Sequence, residues 1–318
     1  MSTVQQEVDE RTNLTSSNKF ELLLFRLGEA GASQQRELFG INVFKVREIM
    51  VMPPVTAVAG APAHLLGMAN IRGQVIPVID LAGAVGCVPK NGLNILMVTE
   101  YARSTQGFAV EEVDQIVRLE WRQVLSAESS TAGGMITSIA RLDGDVDNSR
   151  LAQVLDVESI LRNVVPPVGP DVDPAVMGPK VKIPPGTIVL AADDSLLARK
   201  LIEEGLSAMG VPYIMTKTGK EAWDRLLALD KAAVAEGKTA RDKVAMVLTD
   251  LEMPEMDGFT LTRKIKQDPR FKSMPVVIHS SLSGTANESH VTSSGADAYV
   301  GKFVAAELAD TIRRVVEH

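Results

Sequence analysis

The sequence predicts two domains of different class: a mainly-β domain, then an α/β domain built on a parallel sheet. Three observations carry this. The chain has 318 residues, above the span of about 100–200 usual for one domain. Seven of its sixteen prolines fall between Asn163 and Gly186, and proline fixes φ and removes a backbone donor, which favours extended, semi-stiff separators. Before that stretch the apolar runs are short and divided by turn residues; after it they alternate with amphipathic segments. The expected limits are a mobile polar start at 1–19, a first domain at 20–163, a linker at 164–186 and a second domain at 187–318.

In the first half, Phe20–Leu27, Gln74–Leu81, Asn94–Glu100 and Ile136–Leu142 read as strands, bounded by Gly, Asn, Asp and Pro. Asn42–Met50 reads as a helix because Val43, Val46 and Met50 recur at helical spacing, and Asp156–Leu161 reads as a second one. In the second half, Ile188–Ala192, Tyr213–Met215, Ala245–Leu248, Val276–Ile278 and Ala298–Val300 alternate with helical stretches such as Leu196–Met209 and Glu221–Ala235. Five such alternations predict a parallel sheet with helices on both faces. Lys231–Lys243, charged and Ala-rich, reads as an insertion that lengthens a surface helix and loop away from any site.

Composition bounds the function. Hydrophobic residues make up 45% and charged residues 23%, the balance of a folded globular chain. A formal charge of −7 opposes a nucleic-acid surface, which needs clustered Lys and Arg, and favours protein partners. No run approaches the roughly 18 uncharged apolar residues of a membrane span, and residues 1–19 lack the apolar core of a signal peptide. The expectation is a cytoplasmic protein without membrane insertion. The single cysteine, Cys87, excludes an intramolecular disulfide and Cys-rich metal sites and is expected to pack.

In an α/β sheet, ligands bind at the carboxyl ends of the strands. There the second half places Asp193 and Asp194 after its first strand, Asp250 at the end of VLTD, Ser280 at the end of VVIHS and Lys302 after AYVG. Three carboxylates suit a hard divalent ion such as Mg²⁺. A carboxylate can also attack phosphorus while a Lys and a hydroxyl stabilise the transferring charge; Asp250, Lys302 and Ser280 fit those roles. Each Asp alone is as well explained by helix capping or a turn. The set together, with LTDLEMPEMDG around Asp250, resembles the receiver domain of bacterial two-component response regulators over about Gly186–His318. That resemblance implies a flavodoxin-like (βα)5 fold with Asp250 as phosphoacceptor. It implies Mg²⁺ held by Asp193, Asp194, Asp250 and the backbone carbonyl of Glu252, with Lys302 on the phosphoryl group and Ser280 and Tyr299 at the switch positions. The family's proline after the lysine is replaced by Phe303.

The first half carries no catalytic set. Its one histidine, His64, lies in an Ala/Pro/Leu-rich setting that suits packing or surface. What stands out is GMANIRGQVIPVIDL at Gly67–Leu81, where Asn70–Gly73 should form a turn presenting Arg72. With NVFKVREI ahead of it and LAQVLDVESIL at the end, this stretch resembles the CheW coupling-protein family of bacterial chemotaxis over roughly Phe20–Asn163. The resemblance implies two small SH3-like barrels that link chemoreceptors to the histidine kinase CheA and catalyse nothing. It assigns Asn70, Arg72 and Gly73 to the family's NxRG turn and Val43, Val46 and Glu48 to the receptor-facing stretch; Val43 and Val46 equally fit a core. Coupling domain followed by receiver is the order of the CheV family, which the whole chain resembles. This implies a phosphorylation-controlled scaffold at membrane-associated chemoreceptor arrays. A phosphate sink for CheA and a response regulator with another output domain are the alternatives.

Other motifs fail. Asp143, Asp145 and Asp147 alternate like the start of a calcium loop, but Asn148 replaces the required Gly and Val154 the terminal Glu. Gly295 to Lys302 is one residue too long for a phosphate loop and is followed by Phe303 where Ser or Thr is needed. His279, beside Ser280, reads as a strand-end surface residue, and His290 and His318 as solvated.

Overall fold

The computed structural model describes residues 19–30, 36–101, 104–127, 134–143, 149–166, 178–281, 294–302 and 304–316. The chain divides into two compact units, Met1–Val168 and Gly169–His318. Of the start expected at 1–19, residues 1–18 lie outside the described residues, as do 167–177 of the linker expected at 164–186 and Asp145, Asp147, His290, Phe303 and His318.

The first unit is a pair of sheets. One has β1 (Lys19–Arg26), β3 (Leu38–Asn42), β10 (Glu112–Glu120), β11 (Val124–Ser126), β12 (Ile136–Arg141) and β13 (Leu151–Leu155), in the order β10-β1-β3-β13-β12-β11. The other has β4 (Val46–Val51), β5 (Leu65–Ile71), β6 (Gln74–Asp80), β8 (Ile95–Tyr101) and β9 (Ser104–Val110), in the order β4-β8-β9-β6-β5. Short strands β2 (Glu29–Ala30) and β7 (Cys87–Val88) pair beside them. Strand β1 explains the layering: Leu22 and Leu24 enter the core inside the first sheet, while Leu23 and Phe25 enter a central core shared with Ile79, Met97 and Phe108 of the second. Alternate residues of a strand face opposite sides, so a strand buried on both reads as the near-continuous apolar run FELLLF. The second sheet encloses its own core of Ile71, Ile76, Val78, Leu96 and Val98. Two curled sheets, each around its own core and joined by a third, make the double barrel expected of the first half. Cys87 is buried in the central core as expected, and burial pushes its thiol pKa up.

One expected element is corrected. Asn42–Met50 is not a helix: a three-residue 3-10 turn at Val43–Lys45, capped by Asn42 Oδ1 accepting from Phe44 N at 3.0 Å, leads directly into β4, antiparallel to β8. A register irregularity between Val46 and Glu48 adds one residue to the alternation. Val46 and Ile49 therefore meet the central core and Met50 the second barrel's core, which imitates helical spacing in the sequence. The second expected helix forms over Val157–Val164 (α2, after the four-residue α1 at Leu81–Ala84), with Asp156 as its cap.

The second unit is a parallel sheet of β14 (Ile188–Ala192), β15 (Tyr213–Thr216), β16 (Val244–Thr249), β17 (Val276–Ser280) and β18 (Ala298–Gly301), ordered β15-β14-β16-β17-β18. Helices α3 (Leu196–Ala208), α4 (Gly219–Ala235), α5 (Gly258–Gln267) and α6 (Ala305–Val316) cover it; the connection from β17 to β18 runs largely through 282–293, outside the described residues. Val189 and Ala191 face one core and Leu190 and Ala192 the other, so these strands too are uninterrupted apolar runs. The close of the proline-rich stretch belongs to this packing: Val181 is buried against Met209 and Ile312, and Arg313 Nη2 donates to Pro179 O at 2.9 Å.

Asp257 caps α5, its carboxylate accepting from Thr260 N and Thr260 Oγ1 at 2.8 Å each. Burial pushes its pKa up despite those bonds. A carboxyl whose folded pKa is raised binds its proton more readily in the native state, so its charge costs stability at neutral pH, a cost that fades as pH falls through the raised value. Asn caps as well as Asp and carries no charge. Asp257→Asn is therefore expected to unfold at higher urea than the native chain at pH 7, with the gap narrowing towards pH 4; a lower midpoint at pH 7 would contradict this.

Candidate functional site

The strand order places the chain reversal between β14 and β16, the point at which such sheets bind ligands. Asp193 and Asp194 leave β14, Asp250 leaves β16 with its N–H bonded to Ala192 O at 2.9 Å, and Lys302 follows β18 with its N–H bonded to Ser280 O at 2.9 Å. These residues converge. Lys302 Nζ lies 2.9 Å from Asp193 Oδ2 and 2.9 Å from Asp250 Oδ2, and Asp193, Asp250, Ser280 and Lys302 are all buried. One oxygen from each of Asp193, Asp194 and Asp250 lies within 4.8 Å of the other two. Three hard oxygen donors so close, with Asp194 half-exposed, fit a divalent ion that keeps water in its shell.

Backbone geometry holds the carboxylates. Asp193 Oδ1 accepts from Ser195 N at 3.0 Å, and Asp250 Oδ1 from Leu251 N at 2.7 Å. Gly258 must lack a side chain, since a Cβ there would lie 2.0 Å from Asp250 O. Glu252 sits in the turn two residues beyond Asp250, its side chain half-buried. Tyr299 is half-buried beside Leu251 and Ile278, its hydroxyl donating to Ser280 O at 3.4 Å. His279 corrects an expectation: it is buried within β17, opposite Val300 of β18, and is not a surface residue.

Arg199 belongs to none of the motifs that mark the site in the sequence. It lies one turn into α3, almost wholly buried, and its Nη1 donates to Asp193 O at 2.9 Å and Asp194 O at 2.8 Å. A cation near a helix N-terminus opposes the helix dipole, and that unfavourable placement is the sequence signal that could have found it.

In the first unit, β5 and β6 join through the two-residue turn Arg72–Gly73, with φ of 50° and 88°. This is the left-handed geometry of a tight hairpin turn, for which Gly is suited and Arg is not. Asn70 Oδ1 accepts from Gly73 N at 2.9 Å and closes the turn. The strain at Arg72 buys a contact: its Nη2 reaches Glu48 Oε2 at 2.8 Å, joining β4 and the β5–β6 hairpin at opposite edges of one sheet. Arg72's side chain is 65% exposed and Glu48's only 8%, so Arg72 presents the pair to solvent. Asn70 and Gly73 are exposed with it. Val43 does not belong to this surface: it is buried in the central core, and Val46 packs half-buried against the same core, because the 3-10 turn directs both inward. Exposed His64 is left-handed, with φ of 66°, and Asp143 is engaged by Arg150 at 3.1 Å.

Residues 21–165 match the CheW-like domain family and residues 189–313 the response regulator receiver domain family. Chemotaxis protein CheV2 of Helicobacter pylori is 28% identical across 98% of this chain and 99% of its own length. Chemotaxis protein CheV3 of the same organism is 29% identical across 97% of this chain and 98% of its own length. Chemotaxis protein CheY1 of Helicobacter pylori is 30% identical across 36% of this chain and 83% of its own length. Neither matched family is a family of enzymes.

Proposed function

From the premise that the chain belongs to the CheV-type family of chemotaxis coupling proteins, a CheW-like domain followed by a receiver domain, we propose that it couples chemoreceptors to the histidine kinase CheA under the control of phosphate on Asp250. The observation that carries the receiver half is Lys302 bridging Asp193 and Asp250, which brings nucleophile, acidic pair and cation to one point.

A carboxylate oxygen of Asp250 attacks the phosphorus of the kinase's phosphohistidine. The O–P bond forms, the N–P bond breaks, and the departing imidazole keeps the electron pair and takes up a proton. Lys302, released from part of its carboxylate pairing, accompanies the phosphoryl oxygens, and the Ser280 hydroxyl donates to one of them. Asp193, Asp194, Asp250 and the Glu252 carbonyl would hold Mg²⁺, which supplies charge neutralisation for the transferring group. The new group adds about −1.5 to −2 charge at a buried point, biasing Ser280 and Tyr299 towards a second arrangement. The cost of moving phosphate-bearing loops is met by these new charge-assisted bonds. In the coupling half, Arg72 with Glu48, Asn70 and Gly73 forms the contact edge for the receptor–kinase array, to which the protein would be recruited. No described helix is long and apolar enough to cross a membrane.

The test of the chemistry is intact mass after incubation with Mg²⁺ and a small acyl phosphate. The native chain is expected to gain one labile phosphoryl group and Asp250→Asn none. A native chain that gains none under rapid sampling, or an Asn variant that gains it equally, would overturn the assignment.

A further inference from the structure

Arg199 has no part in the chemistry above, yet burying an arginine is expensive unless its donors are used. Its side chain turns back along α3 to place one nitrogen between two successive backbone carbonyls, at 2.9 Å from Asp193 O and 2.8 Å from Asp194 O. We propose that Arg199 is the positioning residue of the acidic pair, fixing the Asp193–Asp194 peptide so that its carboxylates and not its carbonyls serve the cation. The inference rests on the divalent-ion reading of Asp193, Asp194 and Asp250.

Three local bonds support it. With both carbonyls drawn to Arg199 and Asp193 Oδ1 taken by Ser195 N, the rotation of this two-residue segment is fixed at both its carbonyls and at the first carboxylate. What it leaves turned towards the strand ends is Asp193 Oδ2, the atom that meets Lys302. Ser195 Oγ accepts from Ala198 N and starts α3 at the same place, so the helix carrying Arg199 is registered to the loop it holds. The positive charge of Arg199 behind the loop also offsets repulsion among three clustered carboxylates. Lysine could supply the charge, but its rotating ammonium lacks the two N–H donors that Arg199 Nη1 holds in one plane at a fixed angle, one for each carbonyl.

The experiment measures Mg²⁺ binding to the full chain by titration calorimetry, without phosphodonor, for the native protein, Arg199→Met, Arg199→Lys and Asp194→Asn. Groups that orient metal ligands typically account for 10- to 100-fold in affinity. Arg199→Met is expected to weaken Mg²⁺ about tenfold or more, with Arg199→Lys between it and the native chain. Phosphorylation by acyl phosphate should need correspondingly more Mg²⁺, while its maximal rate at saturating Mg²⁺ stays within about threefold of native, since the ion, once bound, restores the loop. A residue that only stabilised the fold would lower the unfolding midpoint and leave the Mg²⁺ requirement where it was. Native Mg²⁺ affinity in folded Arg199→Met overturns the proposal; should that variant not fold, native affinity in Arg199→Lys does so. If the native chain binds no Mg²⁺, the divalent-ion reading itself falls, whereas binding that is lost in Asp194→Asn but kept in both Arg199 variants removes only the role of Arg199.

Discussion

Replacing Lys302 by Met is expected to destabilise the second unit by about 3 kcal/mol in the presence of a chelator, because two buried carboxylates then face each other without their cation. Asp193 and Asp250 each touch Lys302 Nζ at 2.9 Å, and all three side chains are at most 5% exposed, so solvent cannot replace the lost partner. Adding Mg²⁺ should recover much of the loss, since an ion that binds the native state alone stabilises it by mass action. The same variant should take up phosphate from an acyl phosphate at least 100-fold more slowly, the scale on which removing one preorganised stabilising group acts. Urea unfolding with and without Mg²⁺, beside timed intact mass, checks both. An unchanged midpoint in chelator would mean that the carboxylates are relieved some other way and that the bridge is incidental.

The second large effect is expected at Glu48 and Arg72. As an ion pair with one partner 65% exposed, it should contribute no more than about 1 kcal/mol to stability. Its expected importance lies in binding: Arg72→Ala should weaken association with receptor–kinase arrays by tenfold or more, the scale of an interface anchor. The exchanged double variant Glu48→Arg with Arg72→Glu separates two roles. If the pair only ties β4 to the β5–β6 hairpin, the exchange restores binding; if Arg72 meets an acidic group of the partner, it does not. We expect no restoration, because Arg72 is held in a left-handed conformation at the exposed tip of the turn, where a purely structural pair would not require it.

The sequence displayed the second unit more openly than the first, for a physical reason. Strands buried on both faces appear as plain apolar runs, and polar residues directly after them stand out against that background, so the strand pattern alone puts Asp193, Asp194, Asp250, Ser280 and Lys302 at one edge. Arg199 is less legible because an arginine within an amphipathic stretch reads as part of a solvated face, while its bonds run back to the Asp193 and Asp194 carbonyls, a contact that helical spacing does not display. His279 differs in the opposite sense: it belongs to a strand buried along its whole length, which a polar residue next to the strand's end does not display. In the first unit the register irregularity in β4 gave strand residues the spacing of a helix, and the meeting of Glu48 with Arg72 depends on two sheet edges that lie 24 residues apart in the chain. Val43 and Val46 show the converse: apolar residues in a stretch assigned to a partner surface were turned inward by a three-residue turn.

The central claim is that phosphate on Asp250 changes how the protein engages the array. A ligand or modification moves an equilibrium only as far as it discriminates between the two states, so the decisive quantity is a difference in affinity. The measurement is the affinity of the full chain for reconstituted receptor–kinase arrays, with and without Mg²⁺ and acyl phosphate, beside Asp250→Asn treated identically. The account predicts at least a threefold shift for the native chain and none for Asp250→Asn. Equal affinity in both states of a chain shown by mass to be phosphorylated would contradict it.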